Sequence, residues 1–430
     1  MFKAFNMFGN HVGTTDGAEW VRHRKIASRA FTEPNMKMVW KQTARIVNEM
    51  FDLDWAHRGD EFALDDVMDS TTKASQLSMF VIMAAGFGQD GKWIHDKTPP
   101  LGRSLIFRQA LKGVVDNLIL RVSFPPWVWG SQADRDSLAV AGIAGQLAKY
   151  MQEMFKEELS GGPDQASGKQ HGNLFRSLIE GLVGESEGIA PGRNDLFGNM
   201  FALLFAGYET IAHALGYALA LLALDEVEQQ RLYDHIKDVL QDREPAFDDV
   251  PKLARVLAVI FETLRLYPPV CELTRYVEED TTFSVPAALS ESDAAKLTTL
   301  GGEEPRRTQV FIPKGSEVRL DLLGLHHNPR YWPDPHKFQP DRFVDPNWPR
   351  DAFVPFYAGS GSCVGRRFSE VEAIAIITLV IRKYKVSIDS VKFPDVVGES
   401  KLQRCERLLK STNSVTITPC NDIPLIFTKR

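Results

Sequence analysis

Hydrophobic residues recur at helical spacing through the first part of the chain, up to about Tyr267. Such a repeat places apolar side chains on one face of a helix. The pattern is interrupted at three proline-rich or glycine-rich places: Pro125-Pro126, residues 160–172 and Pro191-Gly192. We predict that residues 160–172 form a mobile surface loop between two helices, because no change of pattern marks a domain boundary there. The chain is therefore predicted to be mostly helical.

Short segments with strand-like composition appear from Arg275 onward. Residues 309–312 and 317–320 flank the turn at residues 313–315, which contains proline and glycine. Residues 287–307 are polar and rich in Ser, Glu, Thr and Gly, so we predict an inserted surface loop within this region. The predicted fold class is mostly α with a small β region, that is, α+β.

Residues 196–224 form one long apolar stretch that has the length of a transmembrane helix. Asn199, Glu209 and His213 interrupt it, and such groups are costly inside lipid. We therefore predict a helix buried within a large protein. The first six residues contain neither the apolar region of a signal peptide nor an anchor helix.

Composition and charge exclude several classes of protein. The 430 residues are 44% hydrophobic and 25% charged, which is typical of a globular protein and not of a disordered one. The formal charge of −6 comes from mixed acidic and basic residues and provides no cationic field for nucleic acid. No CxxC pair or disulfide framework is present, which favours an intracellular protein. The four cysteines are Cys271, Cys363, Cys405 and Cys420.

Cys363 lies in a glycine-rich loop, residues 355–368, directly before an apolar-periodic helix that we predict to run to about Arg382. A lone cysteine is usually a small buried hydrophobic residue. Here the glycines allow the backbone to turn around the sulfur, and the helix N-terminus provides N–H donors and positive potential. These features favour thiolate over thiol, so we predict a stabilised thiolate ligand.

The same loop resembles that of the cytochrome P450 family, which reads Phe-x-x-Gly-x-Arg-x-Cys-x-Gly. Phe356, Gly359, Cys363 and Gly365 match the pattern. Gly361 stands where the family normally has an arginine that pairs with a heme propionate, which puts that contact in doubt. The resemblance implies a P450 fold and heme b (iron protoporphyrin IX), with Cys363 as the axial ligand of the iron.

Two further motifs match the family in order. Glu262 and Arg265 share one helix face, and alone such a pair usually lies on a solvated helix surface. Arg342 follows in a proline-rich segment, Phe338-Gln-Pro-Asp-Arg342-Phe343. The resemblance implies that Glu262, Arg265 and Arg342 form a buried structural network behind the heme loop.

The third motif, Ala206-Gly207-Tyr-Glu209-Thr210, lies within the long apolar helix. Alone, a mid-helix Thr usually bonds back to a carbonyl one turn earlier, and a mid-helix Glu usually faces water. The resemblance instead implies that Ala206 and Gly207 line the heme. Gly207 and Thr210 would open the helix locally for dioxygen, and Thr210 and Glu209 would deliver protons as catalytic residues.

Near the start of the chain, residues 16–19 resemble a capping box for a helix that carries Trp20, His23 and Arg24. This helix looks like the Trp-x-x-x-Arg helix of the family. The resemblance implies that Arg24 pairs with a heme propionate and that Trp20 and His23 are further donors, although such a face could equally be an ordinary cationic surface.

The family motifs occur in order along the whole chain, so we expect one catalytic domain, residues 1–430, and a monomer. Complete eukaryotic members begin with a membrane anchor and a helix-and-sheet segment before the Trp-x-x-x-Arg helix. That helix begins near residue 16 here, so we expect the chain to be N-terminally incomplete. The style of the sequence resembles fungal microsomal members, which implies the endoplasmic reticulum membrane for the complete protein, through the missing anchor.

The resemblance implies a monooxygenase that inserts one oxygen atom from O2 into a hydrophobic small molecule, as in secondary metabolism. Electrons would come from NADPH through a separate NADPH–cytochrome P450 reductase, because no flavin- or nicotinamide-binding fingerprint occurs in this chain. A heme-thiolate isomerase or dehydratase is an alternative, but the Glu209-Thr210 pair argues against it. An inactive truncated fragment is a third reading, favoured by the early Trp20 helix.

Overall fold

A computed structural model describes residues 2–64, 73–89, 99–123, 132–160, 174–183, 193–286, 307–413 and 416–430. The predicted mobile loop from residue 161 and the predicted insertion up to residue 306 lie outside the described residues, as do both proline-containing helix breaks. Outside those gaps the chain is mainly helical with small sheets, so the predicted fold class is confirmed.

Helices account for most of the described chain. They are α1 (Gly17–Ser28), α2 (Glu33–Leu53), α3 (Lys73–Val81), α4 (Phe107–Ser123), α5 (Gln132–Leu159), α6 (Leu174–Val183), α7 (Arg193–Leu224), α8 (Glu226–Leu240), α9 (Ala254–Leu266), α10 (Leu322–His326), α11 (Asp341–Val344), α12 (Arg366–Lys383) and α13 (Lys401–Leu408). Shorter 3₁₀ helices are Phe2–Phe8, Trp55–His57, Phe247–Asp249, Arg350–Ala352 and Gly359–Gly361, and a π-helical turn, Ile82–Gly86, continues α3.

In the described part of the chain, four small antiparallel sheets accompany the helices. Their strands are β1 (Glu61–Leu64), β2 (Glu272–Tyr276), β3 (Thr281–Pro286), β4 (Arg307–Ile312), β5 (Glu317–Asp321), β6 (Tyr384–Ile388), β7 (Ser411–Asn413), β8 (Ile417–Pro419) and β9 (Leu425–Lys429). The sheet orders are β1-β9-β6, β2-β5, β3-β4 and β7-β8. The two predicted strand segments are thus β4 and β5. They flank a turn at Gly315 but pair with β3 and β2, not with each other.

The core lies around α7 and α12. On α12, residues 368–381 are buried at every position except Ser369, so this helix is buried on all sides. It packs against α2 and α9, while α7 packs against α3. One described segment, Asn194–Leu224, is long and apolar enough to cross a membrane, and 78% of its most apolar window is buried inside the protein. The structure therefore has α7 as the buried helix that we predicted.

Within this core, the Glu372 carboxyl on α12 is fully buried, and neither of its oxygens has a hydrogen-bond partner among the described residues. Burial raises the pKa of Glu372 well above its usual value of 4.5. A folded-state pKa above the unfolded value means that stability is present below pH 4.5 and is lost as the pH rises. We therefore expect Glu372 to keep its proton to a higher pH in the folded protein than in the unfolded chain.

Glu372→Gln is expected to remove this pH dependence, because an amide does not ionise in the unfolded chain. The wild type should lose about 1.4 kcal/mol of unfolding free energy per pH unit above pH 4.5 through this group alone. Denaturant titrations at pH 5 and pH 8 measure the difference. If the two proteins lose equal stability between these pH values, Glu372 is not neutral in the folded state.

Candidate functional site

The cysteine loop is a closed turn that ends at the start of α12. The amide of Cys363 donates to the carbonyl oxygen of Phe356 at 2.8 Å, which closes the loop. Gly359 has φ +69°, a conformation that favours glycine, and it begins the 3₁₀ turn Gly359–Gly361. Gly365 also lies in a turn, but its φ of −87° is one that any residue can adopt.

The groups beside the Cys363 sulfur favour an anion, but burial of the sulfur opposes them. Backbone N–H groups of Gly365 and Arg366 hydrogen-bond the sulfur, and the guanidinium groups of Arg24 and Arg366 add positive charge, so each of these lowers its pKa. Burial outweighs them and raises the pKa of the free thiol. The side chain nevertheless keeps an exposed surface despite its position deep in the loop. An accessible sulfur with two amide donors and two nearby cations fits a thiolate ligand of a metal.

Helix α1 brings Arg24 to this loop. Its guanidinium donates to the carbonyl oxygen of Ser362, next to Cys363, and its Nη2 lies 3.5 Å from the Ser362 hydroxyl. Trp20 lies one turn earlier on the same helix and is half-buried. The structure therefore places Arg24 beside the cysteine and Trp20 on the adjacent turn, at the positions from which they could reach a group bound to the loop.

His23 lies elsewhere, so its prediction as a heme donor needs correction. Its side chain is fully buried, and its Nδ1 lies 2.7 Å from the side-chain amide of Asn199 on α7. The reason is geometric, because adjacent helix residues point about 100° apart, and the helix cannot aim both His23 and Arg24 at the loop.

The capping box predicted at the start of α1 is not formed. Asp16, at the N-cap, makes no side-chain capping bond, and Gly17 turns the chain with φ +57°.

Arg275 of β2 is a site residue that the sequence reasoning missed. Its Nη2 lies 3.5 Å from the position that a Cβ on Gly361 would take. Gly361 is the residue that replaces the usual arginine of the family loop. The guanidinium of Arg275, which comes from β2, therefore lies beside the loop at the position of the missing arginine. The contact joins distant parts of the chain, so no local spacing predicts it. The unusual glycine was the available signal.

The third motif lies halfway along α7. Ala206 is exposed, although its neighbours in this buried helix are not, and Thr210 is half-buried one turn later. The Thr210 hydroxyl donates to the carbonyl oxygen of Ala206 at 2.8 Å. Helix α7 is continuous here, so the predicted local opening is not present. Gly207 serves close packing, because a Cβ there would lie 3.0 Å from Ile82 of the π-helical turn.

Glu209 has an unusual electrostatic environment. Burial and then the nearby charge of Asp116 on α4 raise its pKa to about 7, while a hydrogen bond from Thr416 and the charge of Lys112 oppose that rise. Its Oε2 is buried and has no hydrogen-bond partner among the described residues. A carboxyl that titrates near neutral pH, with one oxygen unpaired, is suited to accept and release a proton.

The structure brings Glu262, Arg265 and Arg342 together. Glu262 and Arg265 are fully buried and form a two-pronged ion pair with N···O distances of 2.7 and 2.8 Å. Arg342 Nε lies 3.4 Å from the same carboxylate. Burial raises the pKa of Glu262, and the hydrogen bonds and charge of Arg265 oppose that rise.

Arg265 also holds the segment that leads to the cysteine loop. Its Nη1 donates to the carbonyl oxygens of His326 and Pro335 at 2.8 and 2.7 Å. His326 is itself buried, and its Nε2 accepts from the amide of Val354 at 3.0 Å. Through these bonds the ion pair on α9 is joined to the backbone just before the loop that carries Cys363. The position of this ion pair indicates a structural role.

Comparisons with known proteins show the family of the chain. The family model described as Cytochrome P450 matches residues 3–285 and 305–409. The chain is 37% identical to cytochrome P450 monooxygenase 124 of Postia placenta, over 100% of this chain and 78% of that protein. It is 26% identical to cytochrome P450 monooxygenase ORF6 of Penicillium roqueforti, over 100% and 76%, and 25% identical to cytochrome P450 4A14 of Rattus norvegicus, over 93% and 73%. With this match and the accessible Cys363 thiol, the chain belongs to the cytochrome P450 family of heme-thiolate monooxygenases.

Proposed function

We propose that this chain inserts one oxygen atom from O2 into a hydrophobic small molecule, with electrons from NADPH that arrive through a separate reductase. The observation that carries the proposal is the accessible sulfur of Cys363, which two backbone amides and the Arg24 and Arg366 guanidinium groups surround. We also propose a single-domain monomer and, by resemblance to microsomal members, a location at the endoplasmic reticulum membrane.

The residues that would hold heme b lie in the cysteine loop, on α1 and on β2. Cys363 would bind the iron, Arg24 and Arg275 would pair with the propionates, and Trp20 would add an N–H donor. Ala206 presents a small exposed side chain on α7, which leaves room for a flat ring and for O2. Arg275 would supply the positive charge that Gly361 lacks. When bound, the heme supplies the redox chemistry that activates O2.

Proton supply is the task of α7 in this proposal. The Thr210 hydroxyl uses its one hydrogen on the Ala206 carbonyl, so both lone pairs of its oxygen remain free to accept. Thr210 can therefore accept a hydrogen bond from a water molecule, or from a hydrogen-bond donor on the substrate, and hold it in place. Glu209 lies next in sequence and titrates near pH 7, so it can supply the proton that this water passes on.

The experiment is a reconstitution with a flavoprotein reductase, NADPH and isotopically labelled O2. Because the substrate is unidentified, a panel of hydrophobic small molecules serves as the probe, with medium-chain fatty acids, terpenes and polycyclic aromatics included. The proposal expects one labelled oxygen atom per product molecule and no product without NADPH. Conversion of a lipid hydroperoxide without NADPH or O2 would instead support the isomerase alternative.

Thr210→Ala is expected to uncouple NADPH consumption from product formation. Loss of one hydroxyl within a helix costs about 1 kcal/mol, and Ala is the better helix former, so heme content should stay at the wild-type level. Product per NADPH should fall at least several-fold while hydrogen peroxide rises. Both are measured in the same reconstituted assay.

A matched control exists on α2. Thr43 also donates its hydroxyl to a carbonyl one turn earlier, that of Val39 at 2.7 Å, but it lies in the core. Thr43→Ala removes the same kind of bond and should leave product per NADPH unchanged. An unchanged ratio in Thr210→Ala as well would refute the role of Thr210 in proton supply.

A further inference from the structure

Three polar side chains, Glu209, His213 and Thr416, lie together beside the α7 motif. His213 follows Glu209 by four residues on α7, so the two side chains lie one turn apart on the same face. Thr416, immediately before β8, places its Oγ1 3.0 Å from Nδ1 of His213. The same hydroxyl is close enough to the Glu209 carboxyl to lower its pKa. One threonine from the C-terminal part of the chain therefore joins an acid and an imidazole on α7.

All three groups are shielded from bulk water. Thr416 and His213 are 3% and 4% exposed, and Oε2 of Glu209 is buried. Burial lowers the pKa of His213 to about 4, so its imidazole is neutral at pH 7. A neutral imidazole carries one N–H, and on Nδ1 that hydrogen would be donated to the Thr416 oxygen. In that arrangement the hydrogen of the Thr416 hydroxyl would be free to be donated to Glu209.

We propose that Thr416 and His213 are positioning residues for Glu209 in proton delivery. His213 orients the Thr416 hydroxyl, the hydroxyl holds one carboxylate oxygen, and the unpartnered Oε2 is left to take up a proton and release it toward Thr210. No bond other than O–H is made or broken. This inference rests on the proposed function only for the destination of the proton.

Other charged groups also act on Glu209, and the charge of Asp116 affects its pKa more than Thr416 does. Asp116 and Lys112 of α4 form an ion pair with an N···O distance of 2.6 Å, and their charges act on Glu209 in opposite directions. Tyr208, its neighbour on α7, is buried and its pKa is raised well above 10, so it is neutral. The Thr416 hydroxyl therefore lowers a pKa that burial and Asp116 raise, and the balance of these effects is about 7.

The test is an infrared titration of the Glu209 carboxylic-acid band in the resting ferric protein, without reductase or substrate. Glu209→Gln assigns the band by its loss. In the wild type the band should disappear with a midpoint near pH 7. Thr416→Val keeps the shape of the side chain but removes the donor, so the midpoint should rise by about one pH unit. Thr416→Ser keeps a hydroxyl and should restore the wild-type midpoint.

Thr418→Val is the matched control. Thr418 is half-buried, and its hydroxyl donates to the backbone carbonyl of Thr416. The variant therefore perturbs the same segment but leaves the side chains of Glu209, His213 and Thr416 unchanged. Its midpoint should equal that of the wild type. Equal midpoints in Thr416→Val and Thr418→Val would overturn the proposal. That result would leave the monooxygenase assay untouched, so the two proposals fail separately.

The role of His213 is tested in the same titration. His213→Leu removes the donor that orients the Thr416 hydroxyl, so the bond to Glu209 weakens and the midpoint should also rise. A lower midpoint would show that His213 competes with Glu209 for the hydroxyl hydrogen, which would overturn its orienting role. Both results can be read even if Thr416→Val fails to fold, because His213→Leu leaves Thr416 in place.

Discussion

Replacing Arg265 by leucine is expected to cost about 3–5 kcal/mol of unfolding free energy, because it leaves the buried Glu262 carboxylate without its main partner. The two side chains are fully buried, and Arg265 also donates to the carbonyl oxygens of His326 and Pro335. The loss is a large part of the 5–15 kcal/mol that typically stabilises a domain. Denaturant titration monitored by tryptophan fluorescence measures it, and heme retention should fall with it.

Arg319→Leu provides a control for the loss of an arginine as such. Arg319 forms an ion pair with Glu317 at 2.5 Å, but its side chain is 60% exposed. Exposed pairs contribute about 0–1 kcal/mol, so this variant should be close to the wild type. Arg265→Lys should be intermediate, because an ammonium cannot form the two-pronged bond. If Arg265→Leu were no less stable than Arg319→Leu, the network would have no structural role.

Replacing Cys363 by serine is expected to abolish oxygen insertion completely while the polypeptide stays folded. A serine hydroxyl remains neutral near pH 7 and cannot replace a charged sulfur donor. The backbone contact that closes the loop, from the amide of residue 363 to Phe356, does not depend on the side chain. Product formation in the reconstituted assay and far-ultraviolet circular dichroism measure the two parts of this expectation.

The other three cysteines serve as controls. Cys271 is buried, and burial raises its pKa to about 11, which opposes a thiolate. Cys405 is half-buried beside Tyr267, and Cys420 is exposed. Serine at any of these three positions should leave product formation intact. Loss of activity in one of them, with activity retained in Cys363→Ser, would mean that the ligand has been assigned to the wrong residue.

Local motifs were predictable from sequence because neighbouring residues define them. The loop around Cys363 depends on a turn and a helix start within a few residues, and both are present. Glu262 and Arg265 are three residues apart on one helix, so their pairing follows from helix geometry. The end of α9 at Leu266 likewise follows from the two prolines that come after it.

Contacts between distant segments could not be predicted in the same way. The approach of Arg275 to Gly361 and of Thr416 to His213 depends on how strands and helices pack, which no spacing records. The predicted orientation of the His23 side chain on α1 was wrong for a related reason. Trp20, His23 and Arg24 lie within one turn, yet the neighbouring α7 decides which side chain is buried, and Asn199 binds His23.

The central claim, that Cys363 supplies a thiolate to heme iron, is tested most directly by the absorption spectrum of the reduced, carbon monoxide-treated protein. The account predicts the long-wavelength Soret band that is characteristic of a thiolate opposite carbon monoxide. Cys363→Ser should lack this band, and Cys420→Ser should keep it. A wild-type spectrum of the kind given by imidazole or a neutral thiol, or a thiolate spectrum that persists in Cys363→Ser, would contradict the account.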